Sequence, residues 1–125
     1  MSAKYHEGRD AFALAQISWE KSDVVAELVS LEYVFNPDHQ ASAKPLKVVG
    51  KQEGVDGRSV GGGGWARCSK LVFRQVSGPQ VRAVVFRLAG DGTLIFYCDE
   101  VANFPMRPNG GDIEIDVPER GLFRV

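Results

Sequence analysis

The side chains able to do chemistry in this sequence are few and scattered. Only two histidines, His6 and His39, and two cysteines, Cys68 and Cys98, are present, and no HxH, HExxH or CxxC spacing occurs. A metal site or a catalytic base needs several such groups brought together. Asp38 precedes His39 and would add a second ligand, but the Asn-Pro-Asp-His-Gln composition is also typical of a solvated turn. The sequence therefore predicts no metal ion and no cofactor.

Nucleophile and phosphate motifs are also missing. The four glycines at 61–64 would suit a phosphate cradle, but a P-loop continues into Lys-Ser or Lys-Thr at the start of a helix, and here Trp-Ala-Arg follows. There is no GxSxG elbow, and neither cysteine has a histidine nearby in sequence to activate it. We therefore expect a flexible turn at 61–64 and a protein that is not an enzyme.

Three acidic residues alternate with three apolar ones over residues 112–117, in the order Asp-Ile-Glu-Ile-Asp-Val. Alternate residues of a strand point the same way but lie roughly 6.5 Å apart, and nothing apolar beside these carboxylates is placed to raise a pKa. The pattern therefore predicts a half-buried strand with a solvated acidic face. An acid-base pair and a calcium site are the weaker interpretations.

The composition narrows the class of protein. The 125 residues include 15 basic and 16 acidic ones, for a net charge of -1, so the excess of Lys and Arg that drives nucleic-acid binding is absent. No apolar run approaches the roughly 20 residues that span a bilayer, and the first residues lack a signal-peptide pattern. We expect one soluble domain over 1–125, made in the cytoplasm, with reduced cysteines and no nucleic-acid or membrane partner.

The elements that would position these residues are mainly strands. Apolar spacings of three and four predict one short helix over about 3–16. Clusters of β-branched and aromatic residues between turn signals predict strands at 17–19, 24–35, 46–49, 65–76, 81–88, 93–98, 113–117 and 122–125. The turn at 89–92 predicts a hairpin. Together these features predict an antiparallel β-sandwich or barrel, with sequential hairpins as the simplest wiring.

Charge and composition also vary along the chain. Residues 36–64 are polar and rich in glycine, and so long a connection predicts a loop used for contacts. Basic residues gather before the acidic stretch that follows Asp99, at Arg67, Lys70, Arg74, Arg82 and Arg87. Docking of one copy on the next would use that asymmetry, but neutralisation between adjacent strands is the preferred interpretation.

Three stretches of the sequence are similar to one family of proteins. Residues 5–19 pair a helix pattern with Ile-x-Trp, and residues 71–86 contain a Phe-x-x-Val-x-Gly hairpin before a central strand. Residues 94–125 join an apolar strand ending in aspartate, a Pro-Asn-Gly-Gly-Asp-Ile turn and a Gly-Leu-Phe-Arg-Val finish. In these stretches the chain resembles a family of small virion structural proteins of tailed bacteriophages. The middle, 36–64, has no counterpart, and Val117-Pro118 replaces the family's Trp or Asn.

This resemblance implies a virion component without catalytic activity. The expected role is that of a capsid decoration or auxiliary protein, which binds and stabilises the major capsid shell and self-associates in the particle. The expected contacts come from the helix and the long loop, through Tyr5, Arg9, Phe12, Asn36, Asp38, His39 and Trp65. A tail, collar or fibre-associated protein is the first alternative. A small carbohydrate-binding module, with Trp65, Tyr97 and Phe104 as stacking residues, is the second.

Overall fold

The computed structural model describes residues 2–40, 47–101 and 104–124. Over these ranges the chain forms one helix, α1 (His6–Ala13), and ten strands. The strands are β1 (Ser2–Lys4), β2 (Val24–Ser30), β3 (Val48–Gly54), β4 (Ser59–Gly61), β5 (Trp65–Arg67), β6 (Leu71–Phe73), β7 (Val81–Leu88), β8 (Leu94–Cys98), β9 (Ile113–Ile115) and β10 (Phe123–Arg124). The prediction of a mainly β fold with one short helix is confirmed.

The strands form one large sheet and two small ones. The large sheet has the order β1-β8-β7-β2-β3, and the small sheets have the orders β10-β5-β4 and β6-β9. Every pairing is antiparallel. Side chains from both small sheets pack against β2, β7 and β8 in one core cluster, so the fold resembles an open sandwich and is not a closed barrel.

The central strands follow from their composition. All seven residues of β2 are buried, because alternate side chains enter cores on opposite faces of the sheet. Ala26 and Leu28 enter the core beneath the small sheets, whereas Val29 enters a second core on the outer face. The hairpin predicted at 89–92 is confirmed by the pairing of β7 with β8.

The second core is aromatic, and we call it the outer aromatic cluster: Tyr5, Tyr33, Phe35 and Tyr97. The rings of Phe35 and Tyr97 lie 4.7 Å apart, and those of Tyr5 and Phe35 lie 5.0 Å apart. The hydroxyls of Tyr5 and Tyr33 share a hydrogen bond of 2.6 Å. The segment that follows β2 therefore folds back over the sheet and covers its outer face.

Two predictions at the start of the chain are wrong. The helix is shorter than predicted, because Ala3 and Lys4 belong to β1, which pairs with β8. Residues 17–19 form no strand, although Trp19 is 2% exposed. Its indole N–H donates to the Arg67 carbonyl at 2.8 Å. Trp19 therefore closes one end of the core from a turn and needs no strand to place it.

The strand bounds in the middle of the chain also need correction. The second strand ends at Ser30 and not at 35, because the outer aromatic cluster draws the chain away from the sheet. The stretch 65–76 divides into β5 and β6, which belong to different sheets. The predicted loop 36–64 contains β3 and β4, and residues 41–46 lie outside the described residues.

Sequential wiring is only partly right: β2 with β3, β4 with β5, and β7 with β8 are consecutive strands that pair, but the other pairings are not sequential. In the large sheet β1 pairs with β8 and β2 pairs with β7, so partners distant in sequence are neighbours in space. β10 pairs with β5 across more than 50 residues of chain. This wiring brings the N-terminal and C-terminal segments to the same side of the sandwich.

Candidate functional site

Four elements meet at the side of the sandwich where β1 and β10 lie. Together with the turn before β10, they carry a group of side chains that we call the basic-aromatic face: Lys4, Arg9, Phe12, Trp65, Arg120 and Arg124. The Lys4 ammonium group crosses from β1 and donates to the Arg124 carbonyl at 2.7 Å. The ring of Phe12, on α1, lies 6.2 Å from that of Phe123. Residues far apart in sequence thus form one surface.

Among the described residues, the four cations of this face have no acidic partner in an ion pair. Ion pairs among the described residues use other cations, namely His6, Lys70, Arg74 and Arg87. Burial, followed by the nearby Arg9 and Arg124 guanidinium groups, lowers the pKa of Lys4. Clustered cations repel one another, and although Glu100 also lines the groove beside them, an anionic surface placed against the cations relieves that repulsion. The face is therefore suited to binding an acidic partner.

Trp65 anchors the face from β5. The Arg120 guanidinium carbon lies 4.8 Å from the centre of the Trp65 ring, and that of Arg124 lies 5.9 Å away, both within cation–π range. Arg124 Nε also donates to the Gly63 carbonyl at 3.1 Å. The indole and this loop carbonyl therefore hold the two arginines in place.

The glycine run at 61–64 is the turn between β4 and β5. Gly63 and Gly64 both have φ near +80°, a conformation that other residues adopt only with strain. The Gly64 N–H donates to the Gly61 carbonyl at 2.9 Å. The run has a structural use, which is to close a tight hairpin that presents Trp65 to the arginines.

A groove continues from the basic-aromatic face along the gap between β1 and β10. This edge groove has a volume of about 340 Å³ and is lined by Ser2, Lys4, Phe96, Arg120, Leu122 and Arg124, among others. It opens into an apolar cleft of about 240 Å³, whose floor is Leu71, Val84, Phe86, Ile115 and Leu122. Ser2, Glu100, Arg120 and Leu122 line both cavities. Face, groove and cleft therefore form one continuous surface.

The acidic strand predicted near the end of the chain is confirmed as β9, with Glu114 exposed between two buried isoleucines. Because β6 pairs with β9, the Lys70 ammonium nitrogen lies 3.6 Å from a Glu114 carboxylate oxygen and 3.9 Å from an Asp116 carboxylate oxygen. Arg74 lies 3.4 Å from Asp112. These contacts confirm that neighbouring strands neutralise each other here. All the side chains involved are well exposed, so the pairs are weak.

The predicted interface residues fall into three groups in the structure. Arg9, Phe12 and Trp65 lie on or beside the basic-aromatic face. Tyr5 is 0% exposed within the outer aromatic cluster, so its predicted contact role is wrong: the side chain is core. Three cations of the face were missed, because no local pattern distinguishes Lys4, Arg120 and Arg124 from ordinary surface charges.

The third group, Asn36, Asp38 and His39, lies in the segment folded against α1. His6 Nδ1 lies 2.7 Å from an Asp38 carboxylate oxygen, and the His6 N–H donates to the Pro37 carbonyl at 2.8 Å. His39 Nδ1 lies 2.9 Å from the Tyr33 hydroxyl. Asp38 fastens the segment to the helix, His39 fastens it to the outer aromatic cluster, and the Asn36 side chain accepts from the Asp38 backbone N–H within the turn. Each residue therefore has a structural reason for its presence.

The reactive side chains remain separate from one another. Cys68 and Cys98 are free thiols, and burial raises the pKa of Cys68 to about 11. Over the described ranges no cluster of three or more His, Cys, Asp or Glu side chains is suited to hold a metal ion. Among the same residues, no helix has the length and apolar character needed to span a membrane.

Comparison with protein-family models, with curated proteins and with solved structures gives no match for this chain. Function must therefore be inferred from the surface itself. The feature of that surface best suited to recognition is the basic-aromatic face with its groove and cleft.

Proposed function

We propose that this protein is a structural component of a tailed-phage particle, which docks on the major capsid shell and has no catalytic role. The observation that carries the proposal is the basic-aromatic face, where four cations without carboxylate partners among the described residues surround two aromatic rings. Aromatic and arginine side chains are the types that contribute most at protein interfaces. The family resemblance supplies the capsid shell as partner.

The architecture supports a binding role. Docking at many equivalent positions of a shell requires a rigid body that carries a preformed surface, since ordering a flexible surface costs binding free energy. Here β5 and β10 are neighbours in one small sheet, and the contacts of Trp65 with Arg120 and Arg124 fix the arginines before any partner arrives. The unpaired cations would also speed the encounter with an acidic shell surface.

The test is binding to purified particles, measured by co-sedimentation. Reversing two charges in the variant Arg9→Glu/Arg124→Glu should reduce the bound protein by about tenfold or more, because attraction becomes repulsion at the centre of contact. Lys51→Glu is the matched control. Lys51 is exposed on β3, at the opposite edge of the large sheet. Equal loss in both variants, or no loss in either, would reject this face as the docking surface.

Copy number separates the shell from other positions in the particle. Quantitative mass spectrometry of purified virions should find hundreds of copies for a shell protein. A handful would instead favour the tail, collar or fibre alternative. The carbohydrate-binding alternative has less support, because Tyr97 is buried and the Trp65 ring is already covered by two arginines.

A further inference from the structure

The edge groove has the form of a site for an extended chain. β1 ends the large sheet and β10 ends one of the small sheets, so each borders the groove with an edge that has no neighbouring strand among the described residues. Unpaired strand edges bind extended segments through their backbone groups, and nearby pockets then select the side chains. A groove between two such edges suits a peptide better than a small compact anion.

The charge along this surface changes in a fixed order. Lys4, Arg9 and Arg124 lie at one end, Glu100 and Arg120 line the part shared by groove and cleft, and Glu114 and Asp116 line the cleft at the other end. Lys70 pairs with both carboxylates, but at 3.6 and 3.9 Å and with exposed side chains. Such pairs exchange readily for a competing cation. The complementary ligand is therefore acidic at one end and basic at the other.

The apolar cleft lies between these two ends and determines which type of side chain the middle of the ligand must carry. Its volume of about 240 Å³ is roughly eight times the ~30 Å³ that a water molecule occupies in the liquid. The floor is aliphatic and aromatic, while the walls carry charged side chains such as Glu100 and Arg120. A leucine or phenylalanine side chain that reaches the floor would displace water from it favourably. Phosphate or a sulfated sugar would satisfy the cations but would leave this cleft empty.

We infer that face, groove and cleft together bind one extended segment of the docking partner, with side chains in the order acidic, large apolar, basic. The inference rests on the proposed docking function and adds the chemistry of the partner. The acidic part lies on the basic-aromatic face, the apolar side chain enters the cleft, and the basic part reaches the carboxylates of Glu114 and Asp116. A partner with the same residues in another order does not fit.

The first test compares two synthetic peptides of identical composition by fluorescence anisotropy with the full-length chain. In the ordered peptide, acidic residues come first, a leucine follows and lysines come last. The control peptide contains the same residues, rearranged so that the leucine stands at one end. The ordered peptide should bind about tenfold more tightly, a difference of about 1.4 kcal/mol. Arg124→Glu should remove the preference, and Lys51→Glu should retain it. Equal affinity of the two peptides would overturn the inference.

The second test uses Cys98, which lines the cleft, as a reporter. In a Cys68→Ser background, saturating ordered peptide should slow the alkylation of Cys98 by N-ethylmaleimide several-fold. Prior alkylation of Cys98 with the bulkier phenylmaleimide should weaken the binding of the ordered peptide. Circular dichroism should confirm that the alkylated protein retains its fold. Binding without protection of Cys98 would restrict the site to charge alone and reject the role of the cleft.

The outcomes distinguish this inference from the docking function. Particles that bind the chain through the basic-aromatic face without any peptide preference would leave docking in place and remove only the ordered segment. Particles that fail to bind would reject docking, whatever the peptides do. A dimer detected by light scattering, and lost in Arg124→Glu, would make a second copy the occupant and overturn the assignment to the partner segment.

Discussion

At the scale of single residues, similar side chains have different uses here, and their surroundings decide which. Trp19 is buried against Phe86 and Phe123, with ring centres 6.2 and 5.3 Å away. Trp65 is partly exposed and covered by arginines. The first indole stabilises the fold, whereas the second shapes a surface. Substituting each by phenylalanine separates these two roles.

We expect Trp19→Phe to lower the free energy of unfolding by about 2 kcal/mol. The smaller ring leaves a cavity and also leaves the Arg67 carbonyl without its donor. Trp65→Phe should cost less, about 0.5 kcal/mol, since its side chain is only partly buried, but should weaken particle binding. Urea unfolding followed by circular dichroism measures both. Equal destabilisation by the two substitutions would contradict this division of roles.

At the scale of elements, the sequence predicts what local patterns encode. The sequence predicts β7 because its residues are apolar apart from two arginines, and it predicts β9 because apolar and acidic residues alternate there. Most of β3 is not predicted from the sequence. Only Val49 is buried in this strand, so its residues show no alternation of apolar and polar side chains. β1 has three residues and exists because β8 pairs with it. The basic-aromatic face depends on the same long-range pairings, and therefore only part of it was predictable.

At Gly8, the close packing of α1 on β8 matters more than the low helix propensity of glycine. In sequence, glycine weakens α1 by about 1 kcal/mol relative to alanine. In the structure, a Cβ at Gly8 would lie 2.6 Å from the Leu94 carbonyl oxygen and 2.8 Å from the Ile95 Cα. These are backbone atoms of β8, which cannot move aside cheaply. The absence of a side chain is what lets the helix approach the strand.

Gly8→Ala should therefore destabilise the protein by about 1–3 kcal/mol, despite its better helix propensity. Gly54→Ala is the matched control, because a Cβ there meets nothing within 4 Å and the backbone needs no positive φ. Thermal unfolding of both variants at neutral pH gives the comparison. A stabilised Gly8→Ala variant would mean that α1 does not pack on β8 as closely as described.

At the scale of the whole molecule, the two faces of the large sheet differ in chemistry. The inner core is almost wholly apolar, whereas the outer aromatic cluster buries three tyrosine hydroxyls. Burial raises the pKa of Tyr5, Tyr33 and Tyr97, in the last case to about 12. The neutral form of each ring is thus favoured in the folded state over the unfolded one.

Stability should consequently fall in alkaline solution. Below about pH 10 the three tyrosines are neutral in both states, so their contribution is fully present. As pH rises from about 10 towards 12, the unfolded chain releases protons that the folded chain retains, which favours unfolding by up to about 1.4 kcal/mol per pH unit for each tyrosine. Urea midpoints between pH 8 and pH 11.5 measure the slope, and Tyr5→Phe should reduce it.

The reduced slope matters more than the loss of stability itself, because lysine deprotonation also changes the charge of the molecule in this range. Tyr5→Phe removes one titrating group but keeps the ring contact with Phe35, which lies at 5.0 Å. It also removes the hydrogen bond to Tyr33, so the variant starts less stable by about 1 kcal/mol at pH 8. A slope identical to that of the parent chain would show that Tyr5 ionises as freely in the folded protein as in solution, which its complete burial argues against.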